Sequence, residues 1–135
     1  MDNAENILFV CVENAGRSQM AEAFFKKYAP KKFRAISAGT VPSTRLNPMV
    51  IYAMKEIGID LDDQKPKLLS NSMIKDSSKT INMGCMDKKS CPALFVKDVL
   101  DWNILDPKEK SLDDVRKIRD QIKSEVIRLI RSLEA

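Results

Sequence analysis

The chain contains no histidine. That excludes serine–histidine and cysteine–histidine catalytic pairs and zinc sites built on imidazole. Aromatic residues are scarce, at 6%, and the lysines are scattered rather than gathered into a basic stripe, which argues against nucleic-acid binding. The net charge of +4 suits instead a small anionic substrate or an acidic partner. No apolar run approaches the ~20 residues of a membrane span. The opening residues Met1 to Asn6 carry no basic segment, and the apolar run behind them is too short for a signal peptide. The expectation is a cytoplasmic chain without membrane attachment, with a monomer as the default.

Cysteine is also scarce. Cys11, Cys85 and Cys91 are the three in the chain. In a reducing compartment three thiols point to chemistry rather than to structural disulfides. Cys85 and Cys91 are six apart, outside the usual short zinc spacings, and no fourth ligand is evident. Neither a metal nor a cofactor is expected.

What is present has the rhythm of an α/β protein. The 135 residues suit one domain, 1–135, with one core. Asn6 to Cys11 is an unbroken apolar run, as in a parallel strand covered on both faces. Ser18 to Ala29 reads as a helix, with Met20, Ala23, Phe24 and Tyr28 on one side and Pro30 as its stop. Phe33 to Ala38 reads as a second strand. A second helix is capped by Asn47, starts at Pro48, buries Val50, Ala53, Met54 and Ile57, and ends at Gly58. A short helix over Ser70 to Lys75, a weak strand over Thr80 to Gly84 and another within Val96 to Ile104 follow. In the last helix, Ser111 and Asp114 resemble a capping box. Val115, Ile118, Ile122, Val126, Leu129 and Leu133 form its stripe, with Lys and Arg on the solvated face. Strands alternating with helices predict a single three-layer domain, a four-stranded parallel sheet flanked by helices.

The chemistry centres on the segment from Cys11 to Ser18. A thiol ends a buried strand, five residues intervene, Arg17 follows, and a helix opens. Val12, Glu13, Asn14, Ala15 and Gly16 are enough to curl the backbone so that successive N–H groups point inward as an anion nest. The helix aims its positive end at the same place. Arg17 adds a guanidinium fork suited to two oxygens of a tetrahedral anion, and Ser18 can donate to the Cys11 thiolate, the reactive form of a cysteine. Asn14 and Gly16 tolerate positive φ. In parallel sheets ligands bind beyond the carboxyl ends of the strands, so Cys11 and Cys85 fall at the same edge.

The chain resembles the thioredoxin-coupled arsenate reductases built on the low-molecular-weight protein tyrosine phosphatase fold. The similarity covers nearly its whole length. It rests on Cys-Val-Glu-Asn-Ala-Gly-Arg-Ser-Gln-Met-Ala-Glu-Ala-Phe at 11–24, Ser-Ala-Gly-Thr at 37–40, Asn47-Pro48 with 54–60, Cys85 with Cys91-Pro92, and Leu105-Asp106-Pro107. Gln19 is the reductase choice where the phosphatases usually have proline. The resemblance implies Cys11 as nucleophile, Arg17 as oxyanion clamp, Asn14 and Ser18 as loop and thiolate supports, Asp106 as general acid, and Cys85 with Cys91 as a redox relay. Apart from the resemblance, Asp106-Pro107 is also an ordinary turn before a helix.

Three departures from the family pattern stand out. Glu13 replaces the glycine of many relatives, so its carboxylate has to point outward. Ala15-Gly16 replaces the commoner small residue plus cysteine, a change expected to be harmless. Some relatives hold potassium through residues matching Asn14, Glu22 and Ser37 and a further Asp. Here lysine stands near that Asp, in Lys65-Pro66-Lys67, so an ammonium in place of potassium is expected.

Read as a reductase, the chain would bind an arsenate or phosphate oxyanion, pass two electrons through three thiols, and be recharged by thioredoxin or a similar dithiol reductant. Read as a phosphatase, it would hydrolyse phosphate monoesters through a Cys11 phosphoenzyme. Lys108-Glu109-Lys110 stands where tyrosine phosphatases carry aromatics. A non-enzymatic anion or redox sensor using the same thiols remains a third reading. The relay also makes a conformational demand. Helical residues six apart are separated by ~9 Å of rise, whereas a disulfide needs Cα atoms within ~7 Å, so any helix over 86–90 must unwind on oxidation.

Overall fold

The computed structural model describes residues 5–84 and 99–134. Their order is β1 (Glu5–Cys11), α1 (Arg17–Tyr28), β2 (Phe33–Gly39), α2 (Pro48–Lys55), α3 (Asn71–Lys75), β3 (Ser77–Asn82), β4 (Val99–Asp101) and α4 (Leu112–Glu134). The four strands form one sheet in the order β2-β1-β3-β4, and every pairing is parallel.

Alternation along β1 sorts the sheet into two faces. Ile7, Phe9 and Cys11 join the main core with α1, α2 and α4, which contribute Met20, Phe24, Met54, Val115 and Ile122. Leu8 and Val10 turn the other way and pack with Ala38 and Ile74 beneath α3. Burial on both faces is what an all-apolar strand requires, and the expected three-layer α/β architecture is the one observed.

The punctuation read from the sequence is visible in the helices. Asn47 accepts the N–H of Met49 at 2.9 Å, and Ser111 Oγ accepts that of Asp114 at 3.2 Å. Several readings need correction. α2 closes at Lys55, and the turn beyond it runs to Gly58, whose φ is +82. β3 begins at Ser77 and ends at Asn82, where the sequence suggested Thr80 to Gly84. Its first half pairs with β1 despite polar side chains, and the strand stops where Asn82 Oδ1 takes the N–H of Gly84 at 3.2 Å. α1 buries far more than one stripe, including Ser18, Gln19 and Glu22, because it lies between the sheet and α4. Tyr28 stays exposed, stacked on Phe24. Arg119, placed by periodicity on the solvated face, is buried and donates to the Ala53 carbonyl at 2.8 Å, tying α4 to α2.

No helix among the described residues is long and apolar enough to cross a membrane. Cys85, Cys91 and the 86–90 segment lie outside the described residues.

Candidate active site

β1 is where the strand order reverses: the chain leaves it for β2 on one side and returns to β3 on the other. The crevice beyond the carboxyl end of such a strand is where open α/β sheets take ligands. Cys11 is the last residue of β1.

The loop after Cys11 is shaped by its carbonyls. The Cys11, Val12, Glu13 and Ala15 oxygens accept N–H groups from Thr40, Val41, Ser43 and Asn47, at 3.3, 2.8, 3.0 and 2.9 Å. With the carbonyls committed to the 40–47 segment, the loop's N–H groups are left for the inner side, which is the geometry of an anion nest. The Asn14 N–H points to the Cys11 sulfur at 3.3 Å. Asn14 holds φ at +53, a conformation asparagine tolerates better than most residues. α1 has no side-chain cap and no acid in its first turn. Its leading N–H groups therefore remain available to an outside anion.

A buried hydrogen-bond chain orients the thiol. Asn14 Oδ1 accepts from Gln19 Nε2 at 3.0 Å and from the Lys67 N–H at 2.8 Å. That fixes the amide, so Nδ2 must donate: to Ser18 Oγ at 2.7 Å and to Ser37 Oγ at 3.0 Å. Ser37 passes its proton to Glu22 at 2.9 Å. The Ser18 oxygen is already an acceptor, so its proton is free for Cys11 Sγ, 2.8 Å away. The direction of the chain from Lys67 through Asn14 to Ser18 follows from one backbone N–H that can only donate.

Arg17 is buried, with Nη1 donating to the Ile104 carbonyl at 3.2 Å and Nη2 lying 3.5 Å from the Asp106 carboxylate. Gly84, with φ at +109, packs on the guanidinium; a Cβ there would fall 2.1 Å from Nη1. Asp106 is half exposed, and it also accepts the Lys108 N–H at 3.0 Å. The ordinary turn read from Asp106-Pro107 is therefore present, and it aims the carboxylate at Arg17. Cys11, Arg17 and Asp106 line one cavity of about 260 Å³ together with Glu13, Arg45 and Lys108.

Glu13 directs its carboxylate to the Lys108 ammonium, 2.9 Å away. This contact holds Lys108 above the ordinary lysine range, with its hydrogen bond to Glu13 as the largest cause. Gly16 departs from expectation: its φ is −144, so positive φ is not what glycine supplies. A Cβ at this position would meet Pro107 at 2.8 Å, so glycine lets the Asp106 turn approach the loop. The larger residue of many relatives would need that turn to move, and the substitution is less neutral than its chemistry suggested. Lys67 stands where an ammonium was expected, 3.8 Å from Glu22, whose other oxygen takes Lys26 at 2.9 Å. Among the described residues no cluster of three or more His, Cys, Asp or Glu could hold a metal.

Sequence reading missed the roles of Gly84 and the Lys67 amide, and the Glu13–Lys108 pair. Only the first left a local trace, a glycine directly before a cysteine.

Comparison with known proteins agrees with this geometry. An arsenate reductase from Staphylococcus aureus is 35% identical over 121 residues, 88% of this chain and 91% of that protein. A solved structure of an arsenate reductase in the phosphate binding state superimposes with a TM-score of 0.85 at 32% identity, covering 95% of this chain and 98% of the other. A thioredoxin-dependent arsenate reductase from Corynebacterium glutamicum matches with a TM-score of 0.82 at 34% identity over 97% of this chain; this chain spans 62% of that longer one. Residues 6–135 match the family of low molecular weight phosphotyrosine protein phosphatases. With sheet order, cradle and family pattern in accord, the chain belongs to the low molecular weight phosphotyrosine protein phosphatase family.

Proposed function

We propose that this chain reduces arsenate to arsenite with its own thiols and is recharged by thioredoxin or a similar dithiol protein. The carrying observation is the Cys11 sulfur, hydrogen-bonded with the Ser18 hydroxyl at 2.8 Å and accepting the Asn14 N–H at 3.3 Å on the lining of a cavity shared with Arg17 and Asp106. Sequence similarity to arsenate reductases supports the choice of oxyanion.

In this reading the loop N–H groups and Arg17 hold the tetrahedral anion. The Cys11 thiolate attacks arsenic, and Asp106 gives a proton to the departing oxygen, which leaves as water. Cys85 then attacks the Cys11 sulfur. The sulfur–arsenic bond breaks and its electron pair goes to arsenic, which leaves as arsenite, while a Cys11–Cys85 disulfide forms. Cys91 attacks Cys85, frees Cys11 and leaves a Cys85–Cys91 disulfide, which the external dithiol reduces. Gly84, one residue before Cys85, lies against Arg17, which favours Cys85 as the second thiol.

The test is NADPH consumption with arsenate, thioredoxin and thioredoxin reductase. The parent turns over, and Cys11→Ser, Cys85→Ser and Cys91→Ser each stop steady-state turnover. A Cys85→Ser variant as active as the parent rules out the relay. The family's description favours a second reading on the same residues: phosphate monoester hydrolysis, with water resolving a Cys11 phosphoenzyme. Release of phosphate from a monoester at a rate indifferent to Cys85→Ser would select it.

A further inference from the structure

A charge pair lies on the exposed lining of the Cys11 cavity. Glu13 belongs to the loop over the thiol, and Lys108 follows the Asp106–Pro107 turn. They are 95 positions apart, yet their side chains meet at 2.9 Å. Both backbones are pinned. The Glu13 carbonyl accepts the Ser43 N–H at 3.0 Å, and the turn carrying Lys108 is closed by Lys110 N–H to the Pro107 carbonyl at 3.2 Å and by Lys108 N–H to Asp106 at 3.0 Å. The Lys108 and Glu13 side chains are 59% and 37% exposed, and pairs so exposed add little to stability. The place of the pair is more telling. It links two walls of the cavity of about 260 Å³ that Cys11 lines. A carboxylate in a loop that holds an anion would repel it, and the Lys108 ammonium cancels that charge.

We propose that the Glu13–Lys108 pair determines specificity: a neutral bar over the mouth that passes a free tetrahedral oxyanion and hinders one esterified to an organic group. The proposal rests on the reading of the Cys11 loop as an oxyanion site. A free anion has nothing beyond its four oxygens and fits beneath the bar. The organic group of an ester has to project through the mouth, where it must break or bend around the pair. An exposed ion pair favours its closed geometry by a factor of up to about five, which sets the size of the effect. Salt screens exposed charges and should act in the same direction as removal of the pair.

The test compares the parent with the charge-balanced double variant Glu13→Gln/Lys108→Met. Dissociation constants for inorganic phosphate and for phenyl phosphate are measured by titration calorimetry at low and high ionic strength. The quantity read is the ratio of the two constants: in the double variant phenyl phosphate should gain on phosphate by about three- to fivefold. The ratio of the two constants should depend on salt in the parent and not in the double variant. An equal ratio in both proteins overturns the proposal. A parent that binds neither anion overturns it together with the oxyanion site. A parent that shows the ratio shift but does not reduce arsenate leaves the bar intact and removes the reductase reading alone.

Discussion

Gly84 and Arg17 are in direct contact: a single added methyl group on the glycine would fall 2.1 Å from the guanidinium Nη1. The proposed oxyanion clamp is thus seated by a residue that contributes no side chain. Gly84→Ala has to move Arg17 and also strain a backbone at φ +109. The expected outcome is a stability loss of about 1–3 kcal/mol and phosphate binding weakened by about 10- to 100-fold, the value of hydrogen bonds from a charged donor. Arg17→Lys should weaken phosphate similarly without straining the backbone at Gly84. Calorimetric binding and thermal unfolding on both variants separate the two effects.

Ser18→Ala removes the hydroxyl that reaches Cys11 at 2.8 Å and leaves Asn14 Nδ2 with one partner fewer. The hydrogen bond to a thiolate is worth about 1.5–3 kcal/mol. Alkylation of Cys11 by iodoacetamide at neutral pH should slow by about 10-fold or more, with secondary structure unchanged by circular dichroism. An unchanged rate would show that the Ser18 proton points elsewhere.

Ile122 is wholly buried in the layer where α4 covers α1 and the sheet. Ile122→Ala should cost about 2–5 kcal/mol, read as a lower urea midpoint with an unchanged slope. Ile122 does not line the Cys11 cavity, so phosphate binding at 25 °C should persist in the folded fraction.

Glu56 joins the end of α2 to α4. It accepts from Arg116 Nε at 3.0 Å and from Arg119 at 3.1 Å, and the Arg116 hydrogen bond is the main cause that holds its carboxyl below the ordinary range. A lowered folded-state pKa adds stability that is present above the unfolded value and lost as pH falls through the folded one. The parent should therefore lose Tm on acidification below the usual carboxylate pKa. Glu56→Gln should show a lower Tm at neutral pH and a shallower acid dependence. Equal slopes in the two proteins would remove Glu56 from the acid response.

Most of the scaffold was legible. β1 is an unbroken apolar run, α4 is periodic, and Asn47 and Ser111 cap as written. Two of the misreadings share one cause, tertiary context overriding local preference. Polar Ser77 to Lys79 extends β3 because β1 offers it a ladder. Arg119 is buried because the Ala53 carbonyl and Glu56 meet it. At the site, the loop from Cys11 to Ser18 was readable because one continuous segment carries it. The Lys67 amide, Gly84 and Lys108 were not, because each reaches the loop from a distant part of the chain, and spacing says nothing about such meetings.

All four hydrogen-bonding positions of the Asn14 side chain are filled by protein groups, and its residue is fully buried. The Asn14 turn of the loop is therefore held in place before an anion arrives. Ordering entropy has been met during folding rather than at the moment of capture. Hydrogen-exchange rates across 12–18 should then be nearly the same with and without phosphate, and the heat of association should come from the anion's own contacts instead of from a loop freezing around it.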